Sequence, residues 1–169
     1  VKDRPLDANK VRAARREDVE YIREMNLYKK VPIETCKKAT GKMPIATRWI
    51  DTNKQDEHNP LYRSRLVAKE IKKDLRPELF AATPPLEAMR MLISAVASRG
   101  EEQSVWRLMI NDVSRAYFHA PATRRMFVKL LEEDTLPGEE GMCGELLYSM
   151  YGTRDAAFNW AEAYGQHLV

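Results

Sequence analysis

The sequence predicts an α+β fold, on three observations. Apolar residues recur at helical spacing in three separated stretches, 8–27, 84–98 and 153–168. Between them, short apolar runs bounded by turn residues mark strands at 45–51, 61–69, 105–111, 126–131 and 145–148. With 44% hydrophobic and 31% charged residues, the 169-residue chain has the composition of a folded domain, or of two lobes sharing a core.

The first helix carries Val11, Val19, Ile22 and Met25 among many charges, which predicts an amphipathic and largely exposed element. Pro32 and Gly41 punctuate the next stretch. Residues 45–51 and 61–69 flank a polar turn ending in Asn59-Pro60 and predict a hairpin with a long loop. Strand alternation puts Arg63 and Arg65 on one face of its second strand, with Leu66 and Val67 supplying apolar contacts near the end. Thr83-Pro84-Pro85 is a helix-start signal with Thr83 as candidate cap. Leu86, Met89, Leu92, Ile93 and Val96 follow at helical spacing, with Met89 and Met91 read as core fillers. The last helix carries Ala156, Ala157, Trp160, Ala161, Tyr164 and Leu168.

Composition narrows the function. No apolar run reaches the roughly 20 residues of a membrane span, and the start has no secretory signal region, so an intracellular protein is expected. Cys36 and Cys143 are far apart and outside any Cys-x-x-Cys pair, which points to two reduced structural thiols rather than zinc or redox chemistry. From Lys37 to Arg76 eleven Lys or Arg stand against five Asp or Glu, while Glu132 to Glu145 holds six acids and no base. A basic lobe of this kind suits a polyanion such as nucleic acid, or is simply a solvated surface of mixed charge.

The most informative stretch is 111–121, Asn-Asp-Val-Ser-Arg-Ala-Tyr-Phe-His-Ala-Pro. An apolar strand signal runs into Asp112, and two aromatics follow within six residues. Asp112 is either a turn cap or a metal ligand at a strand tip, and the residue alone does not separate the two. Neighbouring blocks do. Arg48-Trp49-Ile50 resembles the "RWV" of copia-type LTR-retrotransposon reverse transcriptases, and Tyr62 to Lys69 resembles their "YKARLVAKG". Phe80-Ala81-Ala82-Thr83-Pro84 is similar to "TFAPVV", Asp112 to His119 to "LDVKNAFLHG", and Tyr148 to Trp160 to "LYGLKQAPRAW". The five blocks stand in the family's order with matching spacings, from about residue 18 to the end. Departures are Glu70 at a usual Gly, Asp155 at a Gln that helps position template-primer and nucleotide, and Ala157-Phe158 at a Pro-Arg pair.

The resemblance implies the fingers and partial palm of a right-hand polymerase, with fingers about 18–83, palm elements about 84–169, and residues 1–17 as linker and helix start. The family's aromatic-x-Asp-Asp hairpin is not reached by Val169, so the chain is read as truncated before it and inactive in isolation. The implied activity is RNA-directed DNA synthesis as part of a Pol polyprotein, on an RNA or DNA template-primer with deoxynucleoside triphosphates. Two Mg2+ ions would be expected in the complete domain, with Asp112 as catalytic carboxylate and, with the Val113 carbonyl, as metal ligand. Tyr117 would gate the sugar, Arg63 and Arg65 would grip the triphosphate from a mobile hairpin, and Val113 and Asp155 would belong to the nucleotide pocket. Lys54 and Lys69 are weaker candidates, and His119 is read as packing or capping. An acid at position 155 would repel a triphosphate unless a neighbour such as Arg154 compensates. The competing reading is a degenerate or domesticated nucleic-acid-binding relative without catalysis.

Overall fold

The computed structural model describes residues 6–55, 59–71, 74–81, 83–98 and 107–168. Its order is α1 (Ala8–Glu24), β1 (Tyr28–Pro32), α2 (Ile33–Thr40), β2 (Thr47–Asn53), β3 (Tyr62–Ala68), α3 (Leu86–Ala97), β4 (Phe127–Lys129), β5 (Met142–Leu146) and α4 (Ala156–Gln166), a mixed α and β architecture. Short 3-10 turns at Pro77–Leu79, Ala116–His119 and Glu132–Asp134 connect them. No helix among the described residues is long and apolar enough to cross a membrane.

Two small antiparallel sheets form the frame. β2 and β3 pair from Thr47 opposite Ala68 to Asn53 opposite Tyr62, so the expected hairpin forms. The other sheet has the order β1-β5-β4. Ile45 joins the two, donating its N–H to Phe127 O and accepting from Lys129 N–H. Beyond the hairpin, β3 is tied to the turn before α4: Ala68 N–H donates to Tyr151 O at 2.8 Å. Gly152 makes that approach possible, since at φ +84° a Cβ there would lie 2.1 Å from Ala68 O.

The main core gathers Ile22 of α1, Leu27, Leu66 and Ala68 of β3, Phe118, Met126, Val128, Leu146 and Met150. A second cluster holds Cys36, Phe127 and Cys143. Both thiols are free and buried, as the sequence implied, and burial pushes the Cys143 thiol up to about 11. Asp7 caps α1 by accepting from the Asn9 and Lys10 N–H groups.

Several expectations are corrected. β1 and α2 were not foreseen, and the strand placed at 145–148 lies instead at Met142–Leu146, where β1 and β4 pair with it on either side. The strand at 105–111 falls partly outside the described residues, and its remainder, 107–111, is exposed and unpaired. A strand needs a neighbouring edge for its N–H and C=O groups, and no described element offers one there. Helix α3 is capped at Pro85 without a side-chain bond, so Thr83 is not its cap. None of its residues is buried: Met89 and Met91, read as core fillers, are 52% and 73% exposed. The apolar stripe is real, but among the described residues no element packs on it closely enough to bury it. The acidic stretch is also more than a surface loop. Asp134 is buried and accepts from Arg23 Nε and from the Tyr28 hydroxyl, both at 2.6 Å.

Candidate nucleotide-binding site

Residues 114–119 are placed by Phe118, whose ring is buried in the core beside Tyr21 and Tyr151. With Phe118 anchored inward, the half-buried Tyr117 stands next to it and packs on Tyr151 with ring centroids 4.8 Å apart. Asp112, five residues earlier, is exposed to solvent, with Val113 half-buried behind it.

Strand β3 brings the arginines. Arg63 and Arg65 alternate with the buried Ser64 and Leu66 and so project from one face, opposite Thr52 and Ile50 of β2. The Arg65 guanidinium lies 5.3 Å from the Tyr151 ring centroid, a cation–π arrangement. Its Nε is buried without a hydrogen-bond partner among the described residues. A buried donor left unpaired is costly, and a bound anion would satisfy it. Arg63 lines a cavity of about 250 Å³ with Lys54, Tyr62, Ser64, Ser114 and Arg115. Burial raises the Tyr151 phenol pKa against the opposing fields of Arg65, Arg63 and Arg115, while Tyr117 adds to the rise. Arg65, Tyr151 and Tyr117 therefore stand in contact one after the other, and Arg63 shares a cavity with Arg115.

Sequence reasoning missed Arg115 and Tyr151. Tyr151 sits inside a quoted block and was legible there; Arg115 gave no local signal, because its partners come from α1. Lys54 joins the cavity, whereas Lys69 is exposed and lines a separate one of about 400 Å³ with Lys42, Glu70, Asp74, Arg124 and Arg154. Among the described residues, the His119 Nε2 has a polar contact with the Ser114 carbonyl, at 3.3 Å.

Asp155 occupies the N-cap position of α4 but makes no capping bond. Its carboxylate is 1% exposed and accepts from Arg124 Nε at 2.7 Å. Burial pushes its pKa up, but the hydrogen bond and charge of Arg124 outweigh that and hold it below the usual carboxylate range. The same guanidinium donates from Nη2 to Glu70 at 2.6 Å. Compensation for the acid at 155 thus comes from Arg124, not from Arg154, whose guanidinium pairs with Asp74.

A divalent metal ion such as Mg2+ prefers hard oxygen donors, and Asp112 with the Val113 carbonyl offers them. Among the described residues, however, no group of three His, Cys, Asp or Glu converges to hold one. The donors present suit one side of a metal site and do not complete it.

A family model described as reverse transcriptase (RNA-dependent DNA polymerase) matches residues 32–169. The chain is 28% identical over 159 residues to the retrovirus-related Pol polyprotein from transposon TNT 1-94 of Nicotiana tabacum. That match covers 91% of this chain and 11% of the polyprotein, so the chain spans about a tenth of that relative's length. No solved structure matches the chain.

Proposed function

This chain belongs to the reverse transcriptase (RNA-dependent DNA polymerase) family, and from that premise we propose that it is part of the polymerase of a retrotransposon Pol polyprotein. In this reading it binds template-primer and a deoxynucleoside triphosphate for nucleotidyl transfer. One observation carries it: Arg65 lies over the Tyr151 ring, Tyr151 packs on Tyr117 five residues after Asp112, and Arg63 shares a cavity with Arg115. Guanidinium groups pair with phosphate oxygens through parallel N–H donors, and a cavity whose charged lining is Arg63, Lys54 and Arg115 against Glu17 keeps an excess of positive charge where a triphosphate would sit. Tyr117, braced by Tyr151, sets a wall against a ribose 2′-hydroxyl. Asp112 and the Val113 carbonyl would be the first ligands for Mg2+, which when bound stabilises charge on the transferring phosphoryl group. The further carboxylates would come from outside the described residues.

Asp155 does not oppose this reading. Its carboxylate is buried against Arg124, so it presents no bare carboxylate to the nucleotide. It acts on the pocket through the Arg124 pair, by fixing the start of α4 against β3 and Glu70.

The test is binding of a labelled primer-template across a salt series. Arg63→Ala with Arg65→Ala should weaken binding and flatten its salt dependence, since fewer counterions are released. Equal affinity and equal slope for the double variant and the parent would remove the phosphate-binding role.

A further inference from the structure

Asp18 lies on α1, upstream of residues 32–169 that the family model matches. It is nonetheless 3% exposed and makes contacts on two sides. Its Oδ2 accepts from the Leu66 N–H of β3 at 3.1 Å, and its Oδ1 accepts from Arg115 Nε, also at 3.1 Å. One carboxylate therefore joins the strand that carries Arg63 and Arg65 to the turn that carries Tyr117. Helix α1 adds a third contact, because the Arg115 guanidinium stacks 4.0 Å from the Tyr21 ring centroid.

Arg115 is itself unusual. It adopts φ 49° and ψ 43°, the left-handed region that a residue with a Cβ and a long side chain disfavours. A conformation of that kind persists when its surroundings over-determine it, and here the Asp18 ion pair and the Tyr21 ring do so. Only Nε is engaged by Asp18. The nearest other carboxylate, Glu17, stands 4.0 Å from Nη2 on a side chain that is 77% exposed. Glu17 lines the same cavity as Arg115, Arg63 and Lys54, and its long, solvent-exposed pair with Nη2 is one that a more highly charged anion would displace.

We propose that Asp18 is a positioning residue of the nucleotide site, holding Arg115 as a cation for the β- and γ-phosphates that the Asp-Val motif does not itself specify. The inference rests on the functional reading above and deepens it. α1 becomes a working part of the site rather than a leader to it.

The experiment is calorimetric titration of the purified chain with inorganic tripolyphosphate in EDTA, so that no metal contributes. Asp18→Asn and Arg115→Gln should each weaken binding roughly tenfold, the effect of one lost charge-assisted contact. The Asp18→Asn, Arg115→Gln double variant should bind no worse than Arg115→Gln alone. The Arg115 side chain is 19% exposed and pairs with the buried Asp18, so Arg115→Lys, which keeps a cation there without the paired Nη donors, tests the proposal even where the other variants fail to fold: it too should bind more weakly, and parent-like affinity overturns the proposal. Unchanged tripolyphosphate affinity in Arg115→Gln overturns the proposal, as does a further loss on adding Asp18→Asn to it, since Asp18 would then act through the fold at large. A parent chain that binds no tripolyphosphate overturns the functional reading and this inference together. A parent that binds, with both variants binding equally well, overturns this inference alone.

Discussion

Arg124 reaches both acids by which this chain departs from its family pattern: Nε lies 2.7 Å from Asp155 Oδ2, and Nη2 lies 2.6 Å from Glu70 Oε2. Glu70 in turn accepts the Arg154 backbone N–H at 2.8 Å. The two departures are thus one structural event, a three-membered ionic bridge between the end of β3 and the start of α4.

That bridge predicts an acid-dependent stability. The Asp155 carboxyl titrates below its ordinary range in the folded chain, so its contribution is complete above about pH 4 and lost as pH falls through the folded value. Urea unfolding should show the parent losing more stability than Asp155→Asn between about pH 5 and pH 2.5. At neutral pH, Arg124→Ala should cost about 3–5 kcal/mol, because it strands a buried carboxylate beside a half-buried one. Equal acid sensitivity in parent and variant would discount the bridge.

In a longer, polymerase-active protein that carries this chain, Asp112→Asn should abolish primer extension and leave template-primer affinity within about twofold, as expected of a group acting in the transition state alone. Single-turnover extension and a binding titration on the same preparation separate the two. Surviving extension would remove Asp112 from the chemistry.

Replacing Tyr117 by Val should raise incorporation of ribonucleotides relative to deoxyribonucleotides. The ring has room to act as a wall because Tyr151 backs it at 4.8 Å. Competing the two nucleotides at one template position measures the ratio. An unchanged ratio would make Tyr117 a packing residue.

Purified residues 1–169 should bind primer-template without extending it, since the described residues offer no convergent set of acids beside Asp112. Template-directed DNA synthesis by this chain alone would contradict that expectation.

The sequence was most legible where one local pattern decides the outcome. The β2–β3 hairpin, α1, α3 and α4 follow from periodicity within a few residues, and the face shared by Arg63 and Arg65 follows from alternation. β1 was hidden because five residues ending in a proline carry little pattern, and its formation depends on pairing with β5, more than a hundred positions away. Residues 105–111 show the reverse case. A strong strand pattern met no partner edge among the described residues, so 107–111 stay unpaired. In the proposed site, Asp112, Tyr117 and the hairpin arginines were named from motif, whereas the pairings of Asp18, Arg115 and Arg124 were not legible there. Each of those three acts through an ion pair between distant elements, which no local window contains.

The contact at Gly152 anchors the hairpin. Ala68 is held to Tyr151 there, and Leu66, two residues back on the same strand edge, is held by Asp18. The outer end is tied as well, by the Asp7 N–H to the Tyr62 hydroxyl and by Arg15 to Asp51. Arg65, between Leu66 and these outer ties, is thereby stationed over the Tyr151 ring. A side chain introduced at position 152 would strike the Ala68 carbonyl and so shift Tyr151, the ring that both Arg65 and Tyr117 lean on.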